Sequence, residues 1–158
     1  MVGDWARLNE LNELAVALAN SLERRLETTQ QGGAFVVAAR AAWDCEPLRH
    51  LTPAEPVAYP IAVAAAAAGH GVDLATALPA FALAIFSNLV SAAVRLSAIG
   101  QTDGQRALAA LMPRVAALAD TILGADLAQP EALLGGCAFR SDLAALQHET
   151  QYSRLFRS

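Results

Sequence analysis

From Leu74 to Val94 the chain runs 21 residues without a charged side chain. A run of that length either crosses a bilayer or forms an apolar helix packed on protein. It contains Thr76, Pro79, Ser87, Asn88 and Ser91, draws much of its apolarity from alanine, and meets Arg95 within the same helical pattern. Polar residues at mid-span and a nearby arginine are costly in lipid, so the packed helix is the favoured reading. A membrane-inserted helical hairpin built from 56–72 and 74–94 is the competing one.

The rest of the chain supports helix throughout. Its 37 alanines and 23 leucines lose little rotamer freedom in a helix, and aromatic residues, which suit pleated sheets, make up only 6%. With 158 residues the chain can bury a core without disulfide or metal staples. The expected fold is an all-α, single-domain helical bundle of about five to seven helices.

Charge and residue usage exclude several functions. A formal charge of -4 offers no basic stripe to track a phosphate backbone, so no nucleic-acid partner is expected. All 11 basic residues are arginine. Without lysine there is neither a P-loop lysine nor a Schiff-base nucleophile. Cys45 and Cys137 lack CxxC spacing, and no basic stretch followed by an apolar core and cleavage site opens the chain. A reducing cytoplasm is the expected location. His50, His70 and His148 are scattered, and a metal site at His148-Glu149 would need a third convergent group, so a surface histidine is expected instead. No GxSxG elbow supports acyl transfer. The chain is therefore expected to be no enzyme, with no catalytic residues, no metal ligands and no cofactor.

Along the chain, Leu8, Leu11, Ala15, Leu18 and Leu22 recur at helical spacing, which predicts one helix from Asp4, its cap, through the glutamates and arginines of 23–27. Gly32-Gly33 either kinks it or admits another backbone. Pro47, Pro53, Pro56 and Pro60 mark an ordered connector. The alanine run that follows reads as a short helix ending at Gly69, after which Asp73 caps a long helix from Leu74 to about Ile99. Thr102 and Gln105 have capping-box spacing and predict a further helix carrying Leu108, Met112, Val115, Leu118 and Ile122 inward, kinked at Pro113. Ser141 is the expected cap of a last short helix. Asn88, Ser91 and Arg95 form a polar stripe at helical spacing. An internal hydrogen-bond network is the more ordinary account of it, and an interface the other. The terminal HETQYSRLFRS alternates Tyr152, Leu155 and Phe156 with polar residues and arginines. That suits an interface, and equally a tail docked on its own domain.

The segment NLVSAAVRLSAIGQTDGQRALAAL and the closing ALQHETQYSRLFRS resemble the two hallmark stretches of the urease accessory protein UreF family. Weaker agreement runs through ERRLETTQQGGAF and AYPIAVAAAAAGHGVDLATALPAF, so the resemblance spans nearly the whole chain. Family members begin with a further segment bearing a proline-glycine-phenylalanine-serine motif, which nothing here matches. The resemblance thus implies a member shortened at its N-terminus, with 1–158 one UreF-like domain and 147–158 a partner-binding tail. It further implies a cytoplasmic homodimer that binds UreD (also called UreH), recruits the GTPase UreG to apo-urease, and works in nickel insertion, nickel being conveyed through the complex and not held as a cofactor. Carried over by position, Tyr152, Arg154 and Arg157 become partner-contact candidates, with Arg154 facing UreG. Gln101, Asp103 and Arg106 are further candidates whose capping role competes.

Overall fold

The computed structural model describes residues 3–125, 134, 136 and 138–152. Among them are seven α-helices and no strand, in agreement with the all-α expectation: α1 (Trp5–Ala17), α2 (Leu22–Ala42), α3 (Glu46–Arg49), α4 (Tyr59–Gly69), α5 (Leu74–Arg95), α6 (Gln101–Leu123) and α7 (Phe139–Glu149). They group into two compact units, one of residues 1–71 with 135–158, the other of residues 72–134.

In the first unit, Asp4 caps α1 by accepting the Arg7 amide at 3.0 Å. The single helix expected from Asp4 onward is in fact two. Ser21 is extended and its hydroxyl accepts the Arg24 amide at 3.1 Å, which starts α2 afresh with Glu23 in its first turn. Leu18 and Leu22 consequently leave the apolar face and are exposed. Gly32 lies inside α2 and is buried. The choice left open for the glycine pair falls on close approach, because a Cβ at Gly32 would overlap the Val57 carbonyl oxygen.

The proline-rich connector is ordered and forms the centre of the core. Leu48, Leu51 and Val57 are almost fully buried beside Val36 and Ala39 of α2 and Ala62 and Ala65 of α4. Two side chains tie the connector down. Asn12 donates to the Pro56 carbonyl at 2.9 Å and accepts the Ala58 amide at 2.8 Å, while the Thr28 hydroxyl accepts the Tyr59 amide at 3.1 Å. Alanines on α4 let it lie close to α2, so this stretch makes core out of small residues.

In the second unit, Asp73 caps α5 as expected, accepting the Thr76 amide at 2.7 Å. Helix α5 stops at Arg95, short of Ile99. Ser97 takes a left-handed φ of 57°, and the Ala98 and Ser97 amides donate back to Ala93 and Val94, a Schellman ending on a serine. Helix α6 begins at Gln101 after an extended Gly100, without a side-chain cap, so the capping box expected at Thr102 does not form. The buried line of α6 is Gly104, Val115 and Ala119, with Met112 and Leu118 exposed. Small residues set this line: a Cβ on Gly104 would come within 2.8 Å of Val90 Cγ1, so α6 approaches α5 along Gly104 and not along its largest side chains. Asn88, Ser91 and Arg95 are all exposed, which overturns the internal-network reading of that stripe.

By length and composition α5 is the one described helix able to cross a membrane. Its expected partner in a spanning hairpin, α4, has 11 residues and packs into the first unit's core through Ala62 and Ala65. Eleven residues reach about 16 Å, half a hydrocarbon core. The hairpin reading is not favoured.

Candidate partner-binding surface

Among the tail candidates Tyr152 follows α7 by three residues, so what holds α7 matters first. No α7 residue is buried, and its N-terminus at Ala138 has no side-chain cap. Ser141, expected to be that cap, lies inside the first turn and accepts a hydrogen bond from the Arg24 guanidinium at 3.1 Å. In the last turn, His148 Nδ1 lies 2.7 Å from Glu23 Oε2, and both side chains are largely covered, at 32% and 18% exposed. Glu149 accepts the Leu22 amide at 2.7 Å. The surface histidine expected at 148 is thus a half-buried pairing residue. Its partner lies 125 positions away, so no local pattern pointed to it.

Beyond Glu149, Thr150 closes the helix and Tyr152 stands fully exposed. Arg154 and Arg157 lie outside the described residues, as do Leu155, Phe156 and Cys137. Gln101, Asp103 and Arg106 belong to the second unit, at the start of α6. Asp103 and Arg106 form an exposed ion pair at 3.0 Å, and the carboxylate sits in the first helical turn, where free amides favour it. Gln101 joins Gln105, Ser87, Ser91, Leu108 and Met112 around a groove of about 520 Å³ between α5 and α6.

Among the described residues no three histidine, cysteine or acidic side chains converge as metal ligands. Two exposed carboxyls depart from ordinary aspartate titration. Arg49, bonded to Asp44, holds that carboxyl below the usual aspartate range, and the Thr76 amide does the same for Asp73. What the fold offers is helical surface, some of it apolar: Trp43, Leu89, Leu118, Phe139 and Leu143 are each more than half exposed.

Comparison with known proteins gives the chain a family. The UreF family model matches residues 1–112. The urease accessory protein UreF of Bradyrhizobium diazoefficiens is 52% identical over 158 residues, covering 99% of this chain and 64% of the relative. Those of Xanthobacter autotrophicus and Methylobacterium radiotolerans are 54% and 49% identical, over 99% and 98% of this chain and 64% and 67% of their own lengths. The chain belongs to the UreF family of urease accessory proteins. It spans about two thirds of the length of these relatives. Residues 113–158 lie beyond the family-model match, whereas the relatives match nearly the whole chain.

Proposed function

We propose that this chain is an assembly factor for urease that performs no chemistry of its own. It works in the cytoplasm as a homodimer, binds UreD/UreH, brings the GTPase UreG to apo-urease, and so supports nickel insertion, with nickel as cargo passing through the complex. The observation that carries this reading is identity of about one half to UreF relatives across nearly the entire chain. The accessory name of those relatives and the exposed apolar side chains support it.

Tyr152, Arg154 and Arg157 are the tail contacts in this reading, and Gln101, Asp103 and Arg106 a second set. Arginine suits Arg154's part because its planar fork can grip a carboxylate or carbonyl pair. The test is co-purification of UreG with the chain and UreD. Arg154→Ala weakens recovery of UreG while circular dichroism stays unchanged; undiminished recovery contradicts the assignment.

A further inference from the structure

Helix α7 is attached in an unusual way. Its side toward α2 is made of Ser141, Ala144, Ala145 and His148, which with Gln151 just beyond the helix line a shallow recess with Glu23, Arg24 and Glu27. Its large apolar residues, Phe139, Leu143 and Leu146, are exposed at 73%, 57% and 47%. The attachment therefore rests on polar contacts: His148 to Glu23, Glu149 to the Leu22 amide, and Arg24 to Ser141. Apolar burial anchors a helix in proportion to area, and here that anchor is small. Exposed and half-exposed ion pairs contribute roughly 1 kcal/mol or less each and weaken with salt.

We propose that α7 is an electrostatic latch: a helical arm clipped to the first turn of α2 by His148 and Glu149, which opens as one piece without disturbing the α2–α4 core. Opening frees the helix that leads into Tyr152 and uncovers the start of α2. The charged groups facing His148 from α2 are Glu23, Arg24 and Glu27, and on its own helix Glu149 is adjacent. Glu149 faces the free amides at the start of α2 whatever the state of His148, and the His148–Glu23 contact becomes an ion pair when His148 is protonated, so ionic strength acts on both. This device is a property of the folded chain and holds independently of the partners proposed above.

Hydrogen exchange on the full chain tests it. At 1 M salt the α7 amides exchange about two- to fivefold faster than at 0.05 M, the range that loss of one such contact gives. The α2 and α4 amides that pack on Val36 and Ala62 serve as internal controls and stay unchanged. His148→Ala reproduces the acceleration at low salt, and in a Glu23→Gln background His148→Ala adds less than it does in the wild type. Exchange in α7 that is indifferent to salt, an undiminished effect of His148→Ala in the Glu23→Gln background, or α7 and core amides accelerating together would each overturn the latch.

Discussion

Gly32 of α2 and Val57 of the connector are packed backbone to backbone, with no room at Gly32 for a side chain: a Cβ there would strike the Val57 carbonyl and come within 2.9 Å of the Tyr59 amide nitrogen. The contact brings the connector into the core, where Val57 is 1% exposed. Gly32→Ala sets two effects against each other. Helix propensity favours alanine by about 1 kcal/mol, whereas overpacking against a rigid backbone costs about 1–3 kcal/mol. Overpacking wins, because neither wall is a movable side-chain tip, and a lower urea midpoint for Gly32→Ala is expected. Gly33, whose Cβ would meet only the Pro53 carbonyl at 3.8 Å, accepts alanine without loss.

Asn12 supports the same connector from the other side. Its amide satisfies both the Pro56 carbonyl and the Ala58 amide, and Ala58 is 1% exposed. Asn12→Ala leaves a buried N–H without its partner and costs about 2–3 kcal/mol. Asn12→Asp keeps the acceptor for Ala58 but places a carboxylate against the Pro56 carbonyl, so it too lowers the unfolding midpoint. A midpoint unchanged in both variants would show the two bonds to be unimportant.

Ser97 occupies a left-handed position that glycine fills at lower cost. Ser97→Gly is expected to raise stability by about 0.5–1 kcal/mol, since the serine Cβ strain at the end of α5 disappears. Thermal unfolding followed by circular dichroism measures it, and a lowered midpoint contradicts the reading of this turn.

The carboxyls of Asp73 and Asp44 are held below the ordinary aspartate value of 3.8, the first by the Thr76 amide and the second by Arg49. A depressed folded value means that the unfolded chain binds the proton more readily. Their stabilisation is therefore complete above the unfolded value and disappears as pH falls through the lower folded one. Asp73→Asn and Asp44→Asn should flatten the acid limb of a stability-versus-pH curve below about pH 4 and leave its slope near neutrality unchanged.

Much of the fold was legible because its signals are local. Asp73 as a cap and the alanine helix ending at Gly69 each depend on residues within a turn of one another; the connector was marked by its four prolines, although Asn12 and Thr28, which tie it down, are distant in sequence. Readings failed where a nearer competitor existed. The periodicity of Leu8 to Leu22 suggested one helix, but the hydroxyl of Ser21 offered α2 a new start. Thr102 had capping-box spacing, but Gly100 had already begun the helix. The large residues Met112 and Leu118 looked like core, yet Gly104 and Ala119 allow the closer approach and set the buried line. At the candidate surface, Tyr152 was visible as an exposed aromatic near the chain end. The His148–Glu23 pair joins positions 125 apart, and only the fold reveals it.

The central claim is that these residues carry an assembly surface of the UreF family. Co-purification of the 158-residue chain with tagged UreD, and with UreD and UreG together, tests it most directly. The account predicts that both partners are retained and that UreG is lost selectively on Arg154→Ala. A soluble chain, helical by circular dichroism, that retains neither partner would contradict it.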